Sequence, residues 1–377
     1  MTSPAWKWTT RDLLLTLFLP GLGHLVRGFR GKAILFLGFL ALQGATLGLA
    51  VSKHRFAWLA GPSKYWFSTT VMLGVLLAVW AAAQLDLWRS IRRMAVGSSV
   101  LSYWQMAARR FSRDLKGIVG LLIILCVLHI ALFAPFFVRQ DPLKMDLVHF
   151  LAGPSIEHPL GQDNFGRDVL DRLIYGARVA LGIGAVATLL NMLFGGVLGL
   201  LSGYFRGVTD AVIMRLLEII NSIPFLVLAL LVISLWGSSV VSLMLVLGIF
   251  GLGPARIIRS EVLSVRETDY VLSAKAIGTP TGRIIVRYVL PNAIASLLVV
   301  TTMSIGVNFI VVAGLSFLGF GVRPPIPSWG AMLQQAQEFM RTAWWMAVYP
   351  GLCIIVTVFG FNILGDSLRD VLDPRLR

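Results

Sequence analysis

The stretch GIVGLLIILCVLHIALFAPFFV, residues 117–138, contains no charged side chain from end to end. Roughly 20 residues of α-helix cross the hydrocarbon of a bilayer, so this one run is long enough to do so. Six further uncharged runs accompany it, at 33–52, 65–85, 179–205, 219–255, 288–322 and 342–365. A single apolar run also fits a buried core helix, but seven together predict an all-α polytopic membrane protein. Helices satisfy every main-chain polar group internally, which lipid demands. Composition agrees: the 377-residue chain is 57% hydrophobic and 14% charged, against about a quarter charged in an average soluble domain.

The flanks of 117–138 orient it. On one side, 89–116 carries Arg89, Arg92, Arg93, Arg109, Arg110, Arg113 and Lys116 against Asp114 alone. On the other, 139–172 carries Arg139, Lys144, Arg167 and Arg172 against Asp141, Asp146, Glu157, Asp163, Asp168 and Asp171. Basic loops stay in the cytoplasm, so 89–116 is expected inside and 139–172 outside. The same rule explains the net charge of +15 without a nucleic-acid partner.

Propagation from this span gives the expected core: spans at 117–138, 179–203, 210–235, 239–254, 292–314 and 342–364, with a cytoplasmic loop at 255–290. The run 219–255 is too long for one crossing, and Gly237-Ser238-Ser239 divides it. The run 288–322 must bend, tilt or end early, because as one helix it would be roughly 50 Å long. Upstream, 33–52 and 65–85 read as two additional spans. The segment 13–26, broken by Pro20, Gly21 and Gly23, reads as interfacial or re-entrant. Both termini are then expected on the cytoplasmic side.

Sites with chemistry are few. His24, His54, His129, His149 and His158 do not cluster in sequence, and Cys126 and Cys353 both fall inside expected spans. No phosphate-binding glycine loop occurs, so neither catalysis nor a bound cofactor or metal is expected of this chain. Arg215 and Glu218 are spaced to form an i,i+3 pair at the membrane interface. Gly195, Gly199 and Gly203 form small-xxx-small spacings that suit close helix contact, within the bundle or between subunits. SFLGFGVRPPIPSWG, 316–330, reads as a compact external cap, with Phe320, Arg323 and Trp329 as a rim around an outer opening or simply as a Pro/Gly turn.

The loop EVLSVRETDYVLSAKAIGTPTGRIIVRYVLP, 261–291, is the conspicuous polar interruption. Ser260–Ser264 and Asp269–Ile277 read as short helices, with Tyr270, Ala274 and Ile277 sharing a face beside Lys275. Gly278 ends the second helix or permits a close approach. Thr279-Pro280 turns the chain, and Pro291 marks the start of the next span. Such a segment fits a surface gripped by a peripheral partner, and equally a basic helix resting in the headgroups.

From His158 onward the sequence resembles the permease subunits of ATP-binding-cassette importers of the dipeptide, oligopeptide and nickel class, in their C-type branch. The resemblance rests on HPLGQDNFGRDVLDRLIYGARVALGIG (158–184), LSGYFRG (201–207), MRLLE (214–218), YVLSAKAIG (270–278), RYVLPN (287–292), LSFLGFGVRPPIPSWG (315–330) and FNILGDSLRDVLDPRLR (361–377). It covers about 105–377 and leaves 1–104 as an N-terminal membrane extension. It implies a six-span type I importer core in a bacterial inner membrane. The implied partners are a homologous second permease, two cytoplasmic ATP-binding subunits that use ATP and Mg, and an extracytoplasmic solute-binding protein. The loop's implied role is ATPase coupling, through Tyr270, Leu272, Ser273, Ala274, Lys275, Gly278, Thr279, Pro280, Leu290 and Pro291. Leu272 and Ser273 replace the Glu and first Ala of the family's loop signature, and Glu218 stands where an Asp is frequent. The implied cargo is peptides, with nickel chelates or other small solutes as an alternative. A transporter or channel working alone would instead need ion ligands in broken mid-membrane helices, and few charged candidates lie there.

Overall fold

Asp168 opens the longest helix by accepting a hydrogen bond from the Asp171 amide, and Asp171 adds a negative charge to the first turn. The computed structural model describes residues 30–54 and 103–372, and every regular element among them is helical. The expected segments 13–26 and 65–85 lie outside the described residues. The chain divides into two compact units, Met1–Arg139 and Gln140–Arg377.

In the first unit, α1 (Arg30–His54) packs with α3 (Leu115–Leu132) and with the single turn α4 (Ala134–Phe137). Between them in sequence lies α2 (Tyr103–Phe111), which ends on Arg109 and Arg110. Asp114 caps α3 by accepting from the Lys116 amide. The expected span 117–138 is thus two helices, because α3 stops at Leu132 and Pro135 starts the next turn.

The second unit is built on α5 (Val169–Phe205), a 37-residue helix about 55 Å long. Then come α6 (Gly207–Ser222), α7 (Phe225–Trp236), α8 (Val240–Phe250), α9 (Gly253–Arg266), α10 (Asp269–Ala276), α11 (Thr281–Ile284), α12 (Leu290–Phe317), α13 (Trp329–Ala336) and α14 (Trp345–Leu372). Ile183 and Ala187 of α5 meet Ala229 and Ile233 of α7, Leu243, Val246 and Leu247 of α8, and Val312 and Leu315 of α12 in one apolar core.

Several expected boundaries are corrected. The single helix 210–235 is two, α6 and α7, bent by 85°. Pro224 supplies no amide and holds Ile223 extended, at ψ 127°, so the helix cannot run through. The span expected to end at 254 continues: Gly251 and Leu252 interrupt α8 only briefly before α9 carries on to Arg266. Most of 255–266 is therefore a helix packed along α5 rather than loop. The span expected to begin at 292 reaches back to Thr281 as α11, a π turn at Ile285–Val289, and α12. Pro291 cannot donate to the turn before it, and the wider π turn lets the helix pass this gap without stopping. The break at 237–239 is as expected: Gly237, at φ +85°, ends α7 and the Ser239 side chain caps α8.

Among the described residues, five helical stretches (α3, α5, α8 with α9, α11 with α12, and α14) are long and apolar enough to cross a membrane, or six when α6 and α7 count as one bent span. Only 28–50% of the residues in their apolar windows are buried within the chain. Leu189, Leu193, Leu231, Leu235, Ile355 and Phe359 all face outward. Outer surfaces this apolar require lipid or another subunit against them.

Candidate functional site

The Tyr204 end of α5 organises the polar surface. Gly195, Gly199 and Gly203 form a stripe on which α9 lies. A Cβ on Gly199 would stand 2.4 Å from the Ala255 carbonyl oxygen, and one on Gly203 would stand 2.9 Å from Val262 Cβ. The glycine spacing thus serves packing within this chain. Asp210 receives both Nε (2.6 Å) and Nη2 (2.5 Å) of Arg259, and Ser202 donates to the same carboxylate. That fork fixes the start of α6 to α9.

At the far end of α9, Arg266 donates from Nη1 to the Tyr204 carbonyl at 2.5 Å. Its guanidinium lies 5.7 Å from the Tyr204 ring centroid, and Lys275 Nζ lies 5.4 Å from it. Burial, and then the charge of Arg266, hold the Lys275 ammonium below its ordinary pKa, with Glu267 opposing. Both cations therefore use the ring face in place of part of their hydration.

Helix α10 follows after Thr268, whose hydroxyl donates to Val265 O at 2.6 Å. Val271 and Ala274 turn inward to Tyr204, Val262, Val265, Ile284 and Val289. Tyr270 and Leu272, each 44% exposed, and Ile277, 80% exposed, turn outward together with Ser273. The shared face expected for Tyr270, Ala274 and Ile277 is corrected: Ala274 belongs to the anchoring face with Val271, and Ile277 lies beyond the helix end. The Gly278 amide donates to Lys275 O and the Thr279 amide to Ala274 O, each at 3.0 Å. This is a Schellman C-cap. Gly278 has φ +75° and nothing within 4 Å of an added Cβ. Its role is thus the left-handed cap conformation and not a close approach. Pro280 starts α11, Leu290 is half-buried and Pro291 exposed.

Arg215 and Glu218 form their pair at 3.1 Å on an exposed face of α6. The 316–330 segment does not form the expected three-residue rim. Trp329 is buried, donating from Nε1 to Leu173 O at 2.9 Å and covering Gly176. Phe320 packs half-buried on the apolar core, and only Arg323 is exposed. An indole needs both apolar cover and one acceptor, and the Val169 end of α5 offers both.

Sequence reasoning passed over a buried charge knot at that same end. Asp163 takes Arg167 Nε at 2.7 Å and faces Arg172 Nε at 3.4 Å, all three side chains being nearly inaccessible. Arg167 Nη2 reaches Gln335 of α13 (3.3 Å), and Trp345 Nε1 of α14 donates to Gln162 O (3.1 Å). His158 Nδ1 meets the capping Asp168 at 2.7 Å. The motif HPLGQDNFGRDVL is therefore a clasp holding the 140–168 loop to α5, α13 and α14. Its mixture of glycine and paired charges was the available signal. Val271 and Tyr204 were also missed, though Val271 and Ala274 have i,i+3 spacing. Among the described residues no three or more His, Cys, Asp or Glu side chains group as metal ligands.

Lipid-length helices with a capped, outward-facing short helix at their polar end define a polytopic α-helical membrane protein. Residues 195–377 match the family described as binding-protein-dependent transport system inner membrane component, and 102–154 match the N-terminal TM domain of oligopeptide transport permease C. The dipeptide transport system permease protein DppC of Alkalihalophilus pseudofirmus is 37% identical over 280 residues, 74% of this chain and 92% of that protein. The glutathione transport system permease protein GsiD of Pectobacterium atrosepticum is 37% identical over 74% of this chain and 93% of its own length. The oligopeptide transport system permease protein OppC of Bacillus subtilis is 35% identical over 75% and 93%. The chain belongs to this family of ATP-binding-cassette importer permeases and is a non-catalytic, membrane-spanning subunit of such an importer.

Proposed function

We propose that this chain forms one half of the transmembrane pathway of a peptide importer, and that 265–283 is the surface through which ATPase closure moves its spans. The supporting observation is the mounting of α10. One face is fixed by Val271 and Ala274, while the chain on either side runs into long helices, α9 and α11–α12. A push on Tyr270, Leu272 or Ile277 would reach two helices at once, through the short joint at 267–268 and the capped turn at 277–280. Partner contacts of this kind shift a two-state bundle by their differential affinity for its two states.

In this reading residues 105–377 are the permease core, 255–290 and the C-terminus are cytoplasmic, and 139–168 is extracytoplasmic. A homologous permease, two ATPases and a solute-binding protein complete the machine. Peptides are the favoured cargo, since the relatives are named for dipeptides, oligopeptides and glutathione. The test is reconstitution of the complete importer in lipid vesicles. Peptide-loaded binding protein should stimulate ATP hydrolysis, and Gly278→Val, which strains the cap, should reduce that stimulation severalfold. Stimulation unchanged by Gly278→Val would contradict the role given to 265–283.

A further inference from the structure

His129 is the one histidine inside an expected core span, and it is 3% exposed. Its polar partners come from outside the family core. The Thr46 hydroxyl on α1 donates to Leu42 O at 2.8 Å, so toward the imidazole its oxygen accepts, from His129 Nε2 at 2.5 Å. Nδ1 then carries no proton and accepts from Gln43 Nε2 at 3.4 Å. Phe39, Phe133 and Phe137 surround the ring at centroid distances of 6.4, 4.6 and 6.0 Å. Gln43 and Thr46 are both fully buried. Two turns earlier along both helices, a Cβ on Gly38 would lie 3.3 Å from Leu122 Cδ2.

We propose that His129 is an intramembrane docking site for this chain's own segment 30–54, which fixes that segment to α3. A polar group facing lipid without a partner is costly, and Thr46 and Gln43 remove that cost only where α1 meets α3. The pairing is also parallel, since Gly38 faces Leu122 and Thr46 faces His129. Parallel neighbours enter the bilayer from the same side, as the expected spans 33–52 and 117–138 do. The family matches cover residues 102–154 and 195–377, so this partner for α3 lies outside the matched residues.

The test uses the full chain in native membranes, with Cys126 and Cys353 replaced by alanine and Gly38→Cys and Leu122→Cys introduced. A protease site placed within 89–102 separates the extension from the core unless the two are cross-linked. Oxidation is expected to keep the fragments of one chain joined. Gln43→Leu with Thr46→Val should lower that yield about threefold, the scale of one or two interhelical hydrogen bonds in lipid. In a background already carrying His129→Leu, the same two changes should have little effect. Cross-links only between separate chains, no cross-link at all, or losses that are the same in both backgrounds would each overturn the proposal.

Discussion

Arg266 at the end of α9 donates to the main-chain carbonyl of Tyr204 at the end of α5, at 2.5 Å, and lies 5.7 Å from the same residue's ring. The bond closes two long helices onto one another where the polar surface begins. Arg266→Ala should therefore loosen α10 without touching the apolar bundle. The expected cost is about 1.5–3 kcal/mol for a charged hydrogen bond and its ring contact. Thermal unfolding of the lipid-embedded importer would read it as a lower midpoint, together with weaker stimulation of ATP hydrolysis.

Glycines of α5 separate into those that meet α9 and those that do not. Gly199→Ala places a methyl 2.4 Å from the Ala255 carbonyl oxygen, whereas Gly182→Ala meets nothing within 4 Å. The first should cost about 1–3 kcal/mol by forcing the helices apart. The second should be neutral or slightly stabilising through helix propensity. Expression level and thermal midpoint of the two variants, compared side by side, check this.

Asp163 faces two guanidinium groups, those of Arg167 and Arg172, that are almost wholly buried. Asp163→Ala would leave both uncompensated, and breaking a buried pair in this way costs about 3–5 kcal/mol. The 140–168 loop should then become open to added protease. Arg167→Met, which leaves Asp163 beside Arg172, should be milder. Equal protection of Asp163→Ala and the wild type would show that the knot does not hold the loop.

Leu272 occupies the outward side of α10, so exchanging it for the Glu that the resemblance implies there changes the exposed surface and not the fold. Leu272→Glu should leave the thermal midpoint within about 0.5 kcal/mol of the wild type, as exposed substitutions do. It should instead alter the stimulation of ATP hydrolysis by loaded binding protein.

The spans could be read from the sequence because lipid imposes one strong requirement, length without charge, and runs such as 179–205 meet it openly. Apart from Gly237-Ser238-Ser239, their joints could not. Pro224 bends the chain by 85° while Pro291 lets the helix continue, and the difference lies in whether a neighbouring turn can widen. The loop residues were legible through Gly278 and Pro280, whose backbone demands are local. Val271 and Tyr204 were not, since they matter through packing across some 67 residues of intervening chain. Trp329 misled for a related reason: an indole in a Pro/Gly segment looks exposed until its acceptor at Leu173 is placed.

The central claim is that α10 is where ATPase motion enters this subunit. Its most direct measurement is site-specific cross-linking from Ile277→Cys, with Cys126 and Cys353 replaced by alanine, in the assembled importer. The account predicts a cross-link to an ATP-binding subunit whose yield changes between nucleotide-free and ATP-bound complexes. An intact, active complex in which Ile277→Cys never reaches an ATP-binding subunit in either state would contradict it.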